Sequence, residues 1–361
     1  MMLVWAAMLR TTPAWILLAA LGSGAIGRAQ VAVQRWQPAT EAGGFVVVEP
    51  PTAPVGYGLG AALWLQYARE PVVLPLGGLG DATVVTDQYT ADLTGTVGVF
   101  DWLALSFDLP ATLYQGNGTP ALGIHSAGFG DPKLLAKFVV MRPQQRYRGF
   151  GLALLPELGL PLGDRRSLLG DRGYTFVPRA SFGWLGGPLL LVANVGYRLR
   201  QGASIGELFI GNEILLALGA DIPIWRLPLS ATLELTAATA ALRPFMDLKE
   251  TSIEGLASLR ARIGPFALQP GLAIGFTPGY LVPDFRIFTG IAYGPRFRDA
   301  DYDGNPDQFD RCPEDREDLD DHQDRDGCPD FDNDGDGIRD AFDHCPDRPG
   351  RAGDDGCPAA P

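Results

Sequence analysis

Between residues 57 and 297 the chain is written in runs of about ten residues in which apolar positions alternate with small or polar ones. That period of two belongs to extended backbone, where successive side chains point to opposite faces. The run LLLVANVGYRLR puts Leu189, Leu191, Ala193, Val195, Tyr197 and Leu199 on one face, opposite Asn194, Gly196, Arg198 and Arg200. In SIEGLASLRARI, Ile253, Gly255, Ala257, Leu259, Ala261 and Ile263 oppose Glu254, Ser258, Arg260 and Arg262. LALSFDLP and ATLELTAA follow the same rule, with Leu103, Leu105, Phe107 and Leu109, then Leu233 and Leu235, on their apolar faces. Strands are expected near 57–69, 84–99, 103–114, 131–141, 150–161, 174–184, 188–200, 211–224, 228–240, 252–263, 266–277 and 284–295, about 12 in all.

A soluble sandwich or barrel would turn the apolar faces inward, whereas a transmembrane barrel turns them to lipid and lines its lumen with the polar faces. Alternation does not choose between these, but the connections do. Long ones near 70–83, 115–130, 162–173, 201–210, 241–251 and 278–283 alternate with tight ones, as at Phe100–Trp102, Leu185–Gly187 and Trp225–Arg226. Short turns on one rim, longer loops on the other and an even strand count are the marks of an outer-membrane barrel. The expected fold class is therefore all-β, a transmembrane antiparallel β-barrel followed by an irregular tail. Trp102, Trp184 and Trp225 would form an interfacial girdle at the short-turn rim, and Tyr67, Tyr114, Tyr174 and Tyr280 one at the other. An even count returns the chain to its starting side, which places both residues 30–56 and the tail in the periplasm.

The polar faces carry Lys133, Lys137, Arg179, Arg198, Arg200, Arg260, Arg262 and Arg286 against Asp92, Asp108, Glu157, Glu213, Asp221, Glu234 and Glu254. These groups either pair across the interior and plug it or line a polar pore; the plugged or narrow form is favoured.

The N-terminus fits export. Arg10 precedes the apolar run Ala14–Leu21, and small residues follow up to Ala29. This is the layout of a secretory signal peptide over 1–29, too short to span a bilayer as a helix. Past residue 30 no apolar run approaches the roughly 20 residues a membrane helix needs.

Charge divides the chain. Of the formal net charge of -13, residues 299–361 contribute 22 acids against 6 arginines, or -16, which leaves +3 for the rest. A block of like charge is ordinarily a solvated or interacting tail, but this one has an internal order. Asp299-x-Asp301-x-Asp303-Gly304-x-x-Asp307-x-x-Asp310-x-Cys312-Pro313 recurs as Asp332-x-Asp334-x-Asp336-Gly337-x-x-Asp340-x-x-Asp343-x-Cys345-Pro346, every element displaced by 33 residues. Carboxylates at loop positions 1, 3, 5, 9 and 12, a turn glycine at 6 and a backbone carbonyl at 7 (Asn305, Ile338) form an oxygen set suited to Ca2+. Position 12 is Asp rather than Glu, and prolines flank the loops, so this is not an EF-hand. The cysteines, Cys312, Cys328, Cys345 and Cys357, all lie in this segment, and an even number after export points to disulfides. Three pairings are open; Cys312–Cys328 with Cys345–Cys357 is favoured because each closes a short loop between Cys-Pro dipeptides.

The stretch CPDFDNDGDGIRDAFDHCP resembles the thrombospondin type 3 repeat, whose D-x-D-x-D-G-x-x-D-x-x-D-x-C-P loops bind calcium and are stapled by disulfides. Residues 315–330 resemble the degenerate half-repeat between two full ones. Signal peptide, barrel and such repeats in that order resemble proteins of the outer membrane protein A family, in which the repeats usually lead into a peptidoglycan-binding domain. None follows here before Pro361. The resemblance implies a calcium-ordered stalk over residues 298–361.

Catalytic chemistry is not expected. GASIG, Gly202–Gly206, matches G-x-S-x-G but falls in an expected loop rather than between strand and helix. His125, His322 and His344 are the three histidines, the last two among acids. The glycines of GYGLGAAL lack a βαβ context, and no basic, aromatic surface suggests nucleic acid. The sequence thus leads one to expect an outer-membrane barrel over 57–297, a passive channel for small solutes, embedded in lipid and carrying a periplasmic calcium-binding tail that meets a periplasmic or cell-envelope protein. The alternatives are a plugged anchor presenting the tail as an interaction module, and a secreted soluble calcium-binding β-protein.

Overall fold

The computed structural model describes residues 32, 35–41, 44–52, 58–75, 81–100, 102–119, 124–141, 148–186, 189–205, 208–224, 227–279 and 281–294, together with 311–312, 314–315, 317–318, 320, 322–323, 327–350 and 355–358 of the tail. Fifteen strands follow in order: β1 (Leu59–Pro75), β2 (Asp81–Phe100), β3 (Leu103–Asn117), β4 (Gly128–Phe129), β5 (Lys133–Met141), β6 (Arg148–Gly159), β7 (Thr175–Gly186), β8 (Leu189–Arg198), β9 (Ala203–Ile205), β10 (Leu208–Ile210), β11 (Glu213–Ile224), β12 (Leu229–Ala240), β13 (Thr251–Ile263), β14 (Phe266–Gly275) and β15 (Phe285–Tyr293). Twelve of them form a ring of antiparallel neighbours, and β1 closes it on β15 from Ala61↔Tyr293 to Arg69↔Phe285. The short β4 adds to β3, and β9–β10 is a separate hairpin.

Burial is inverted relative to a water-soluble protein. Leu63, Leu65, Leu105, Phe107, Leu233, Leu235, Leu268 and Leu272 face outward and are exposed, while Gln66, Asp92, Ser106, Asp108, Glu157, Asn194, Glu234 and Arg260 face inward and are buried. The outer wall is the apolar band a bilayer requires, and closure leaves no unpaired strand edge within it. Among the described residues no helix is long and apolar enough to cross a membrane; the strands do the crossing. Leu235→Arg, at mid-wall on β12, should cost about 2–4 kcal/mol in urea unfolding from lipid vesicles. An unchanged midpoint would show that this face lies in water.

Rim composition agrees with the sequence reading. Trp102 lies against Phe100 and Phe138 with ring centroids 5.3 and 6.2 Å away, and Trp184 is exposed beside a short turn. At the long-loop rim Tyr67 packs on Tyr89 at 4.9 Å, and Tyr89 on Tyr114 at 6.2 Å. Trp225 and Tyr280 lie outside the described residues.

The β1–β2 connection differs from expectation. Both strands run past the anticipated breaks at 69 and 84, so the connection shrinks to residues 76–80. The alternation is broken by a bulge: Glu70 has φ 48° and the register shifts between Arg69 and Val72. Beyond the bulge Val72 and Leu74 turn inward and join Val84, Val85, Ala203, Ile210 and Leu281 in an apolar cluster, with Ile124 and Leu168 packed on it. These residues come from five different connections or strand ends at the long-loop rim, which the cluster covers.

A larger correction concerns the segment before β1, expected outside the barrel in the periplasm. The described residues of this segment, 35–41 and 44–52, lie inside the ring. Its bonds reach β2 (Thr96), β5 (Lys137), β6 (Glu157), β7 (Ser181), β8 (Asn194), β11 (Glu213), β12 (Glu234) and β13 (Arg260), as only an enclosed segment can. Residues 296–361 form a second compact unit.

Candidate functional site

The lumen is the site, and the plug defines its geometry. Followed back from β1, the chain enters at the short-turn rim, where Pro51 packs against Gly151 and Gly183. Glu49 donates its N–H to Asn194 Oδ1 at 2.8 Å, and its carbonyl accepts from Asn194 Nδ2 at 2.8 Å and Ser181 Oγ at 2.6 Å. Val46, Val47 and Val48 donate successive N–H groups to the Glu234 carboxylate at 2.6–2.9 Å. Phe45 and Val48 bury against Val192, and Val46 joins Trp36, Trp64 and Phe288. Further along, Gln37 bonds Glu157, Arg35 bonds Glu213 and Ser252, and Ala32 N–H reaches Asp171 Oδ1 in the β6–β7 loop. The segment therefore threads the full height of the lumen, from the long-loop rim down to the short-turn rim. Side chains of the wall satisfy its backbone polar groups, as burial demands.

Charge follows the same logic. The lumen groups pair along the wall, not across the interior: Lys133 with Asp108 at 3.2 Å, Arg179 with Glu157 at 2.9 Å, Arg198 and Arg200 with Glu213 at 3.0 and 2.7 Å, Arg260 with Asp221 at 2.5 Å, and Arg286 with Glu254 at 2.8 Å. Asp92 is buried and accepts from the Thr90 hydroxyl, and Arg262 sits half-buried near the end of β13. Lys137 differs from the others in that its partners belong to the plug: Glu49 at 3.0 Å and Glu41 at 3.1 Å. Lys137 and Glu49 both have side chains only 2 % exposed. Removing one member of such a pair leaves the other charge buried and uncompensated. Lys137→Met should therefore destabilise the plugged barrel by about 3–5 kcal/mol. In a double-mutant cycle with Glu49→Leu, much of that loss should be recovered; additive losses would show that the pair is not coupled.

Cavities lie beside the plug. One of about 110 Å3 is bounded by Arg35, Trp36, Gln37, Arg179, Arg198 and Glu254, and one of about 40 Å3 lies by Asp131, Lys133, Asp171 and Arg200. Both have charged and polar side chains in their walls and room for ordered water.

In the tail both disulfides form as expected, Cys312–Cys328 and Cys345–Cys357, with Cα atoms 5.0 Å apart in each. Loops of this length contribute about 3 kcal/mol each in the chain-entropy account. The first aspartate loop, Asp299, Asp301, Asp303, Asn305, Asp307 and Asp310, lies outside the described residues. In the second, carboxylate oxygens of Asp332, Asp334 and Asp336 converge within 4.8 Å. Backbone N–H groups of the loop hold them: Gly335 and Gly337 donate to Asp332, Asp336 to Asp334, and Ile338 to Asp336. Gly335 and Gly337 have φ of 73° and 88°, the left-handed region in which glycine is at no disadvantage. Asp340 and Asp343 each accept one backbone N–H through Oδ1, from Asn333 and Cys345. Their Oδ2 atoms, with those of Asp330 and Asp334, are buried without a hydrogen-bond partner. Partial desolvation and the neighbouring charges of Asp336, Asp343 and Asp332 hold the Asp334 carboxyl above its ordinary range. Inward-turned oxygens without donors fit a hard cation, and the donor set is all oxygen.

The catalytic candidates do not assemble. Ser204 lies on β9 of the β9–β10 hairpin, without the strand-to-helix turn that G-x-S-x-G requires. His125 Nδ1 is 2.9 Å from Asp164 Oδ2, which also accepts from Ser167 Oγ, so these three tie two long-rim loops together. His344 N–H donates to the Asp355 carbonyl, and His322 Nε2 lies 3.1 Å from Gln323 Nε2.

Sequence reasoning missed Arg35, Gln37, Glu41 and Glu49. One signal was present: the apolar run Phe45–Val48 has no reason to stand in a solvated linker unless something buries it.

The sequence matches no protein-family model and no curated protein. The fold is similar to an outer membrane channel from Pseudomonas putida F1, 14% identical over 67% of this chain and 97% of that one, with a TM-score of 0.50. The NanC porin, 9% identical over 64% of this chain and 98% of its own, gives 0.44. An outer membrane phospholipase A from Escherichia coli, 9% identical over 68% and 99%, gives 0.39. At such identities the likeness is one of fold: this chain is a closed, 12-strand barrel of the outer-membrane kind.

Proposed function

We propose that the protein is an outer-membrane channel for small solutes, held closed at rest by its own N-terminal segment. The carrying observation is that the plug is not part of the wall. The ring closes through β1 and β15 without it, and the lumen behind it is lined by charged and polar groups that a purely structural core would not need. Short turns mark the periplasmic rim and long loops the outer one. We assign the acidic tail to the periplasmic side, a reading supported by the end of β15 at the short-turn rim. There we assign Ca2+ to the aspartate loops, in keeping with the resemblance to thrombospondin type 3 repeats and with the donor-free oxygens of the second loop. Bound calcium would neutralise the converging carboxylates and order the tail for a periplasmic or cell-envelope partner. Among the described residues, the catalytic candidates of the sequence are not brought into a catalytic arrangement.

The test is conductance in planar bilayers. The intact chain should show few and brief openings, and a chain lacking residues 32–52 should show discrete, long-lived ones. A plug-free barrel that inserts but passes no current would reject the channel and leave the anchor reading.

A further inference from the structure

The β12–β13 connection, residues 241–250, does not stand up from the rim. Glu234, Leu256, Ser252 and Ser258 face the lumen, so by the period of two their neighbours Leu235, Ala237, Thr239, Thr251 and Ile253 face outward. Thr239 and Thr251 are nevertheless only 1% exposed. The connection covers them: Phe245 N–H donates to Thr239 Oγ1 at 2.9 Å, Thr251 Oγ1 donates to the Asp247 carbonyl at 2.8 Å, and the two hydroxyls are 3.0 Å apart. The loop is thus folded back over the outside of its own hairpin.

Its outer surface is apolar. Leu242, Phe245, Met246 and Leu248 are 88, 49, 81 and 58% exposed. Phe245 also adopts φ 58°, which is costly for a side chain of this size. Such strain persists where the surroundings impose it, and it tends to mark functional positions. The patch is continuous with the lipid-facing wall: below the covered pair Thr239 and Thr251, the next outward pairs down the two strands are Ala237 with Ile253 and Leu235 with Gly255, and the exposed Phe276 ring lies over Gly255. Arg243, Asp247, Lys249 and Glu250 alternate with the apolar residues and can hold their charged ends at headgroup level.

We propose that residues 241–250 are a membrane-inserted loop, which buries Leu242, Phe245, Met246 and Leu248 among the lipids of the leaflet at the long-loop rim and fixes the height of the barrel on that side. The occupant is lipid and not a protein, because the patch prolongs the surface that the bilayer already covers.

The full-length chain in phosphatidylcholine vesicles, labelled with an environment-sensitive fluorophore through Met246→Cys, tests this. All native cysteines described are in disulfides, so the label is selective. The expected result is blue-shifted emission, quenched by spin labels placed shallowly on the lipid chains and protected from aqueous iodide. A label at Arg165→Cys, in the β6–β7 loop, should show the reverse. Iodide quenching at 246 equal to that at 165 would overturn the proposal. Protection from both quenchers would overturn it too, because the side chain would then be covered by protein and not by lipid.

Discussion

Barrels lacking residues 32–52 are expected to fold, insert and conduct, whereas the intact chain stays closed for most of the recording. Folding should survive because the wall keeps its own hydrogen bonds. Each strand of the ring pairs with two neighbours, and the closing pair β1–β15 spans nine residue pairs. Most lumen charges also keep a wall partner once the plug is gone: Glu213 retains Arg198 and Arg200, Glu157 retains Arg179, and Arg260 retains Asp221. Lys137 and Glu234 are the exceptions, since their bonds described here go to the plug. Water entering the lumen can solvate both, which is what turns a buried charge from a liability into pore lining. The apolar cap of Val72, Leu74, Val84, Val85, Ala203, Ile210 and Leu281 sets the limit on the effect. If it stays shut, plug-free barrels will run as folded, heat-modifiable species yet pass no current. The channel assignment fails on that result.

The contrast between wall and plug explains what the sequence could reveal. A strand such as β8 or β12 is legible because each residue's environment alternates between lipid and lumen, and the composition alternates with it. The plug has no such alternation: it bends back on itself, Ala39 N–H donating to the Val46 carbonyl, and it is enclosed by wall partners 56 to 217 residues away, such as Thr96 for Thr40 and Ser252 for Arg35. No local period records that. Even its hydrogen bonds are aperiodic, three N–H groups converging on Glu234 where a ladder would spread them. The bulge at Glu70 hid the upper parts of β1 and β2 for a related reason: it interrupts the alternation midway, with Pro71 and Val72 both buried, so residues that continue the strand look like a loop. The tail is the opposite case. Its loop is set by short-range geometry, aspartates bonding N–H groups two to five residues ahead, so spacing alone announced it.

That tail carries the second large effect. Chelating calcium is expected to loosen residues 298–361 while leaving the barrel untouched. In the second loop the convergence of Asp332, Asp334 and Asp336 is unfavourable without a cation, and the donor-free oxygens of Asp330, Asp340 and Asp343 add desolvation to repulsion. A ligand that binds only the ordered tail, at 100 times its dissociation constant, stabilises it by about 2.7 kcal/mol per site. Without the ion the two disulfides still restrict the chain, but they cross-link loops of 16 and 12 residues and do not bring the carboxylates together. Limited proteolysis should therefore cut the tail rapidly in chelator and slowly in millimolar calcium, with the barrel's heat-modifiable mobility the same in both. Asp334→Asn together with Asp336→Asn should weaken calcium binding at the second loop by roughly one to two decades, the scale on which ligand charge tunes such loops. The first loop should then titrate alone, seen as loss of one class of site in calorimetry. Magnesium at the same concentration should protect poorly, because it demands near-octahedral geometry and sheds its waters reluctantly. A tail whose cleavage is indifferent to calcium would reduce the repeat to an acidic linker, since no other group among the described residues of the loop gives Asp332, Asp334 and Asp336 a reason to converge.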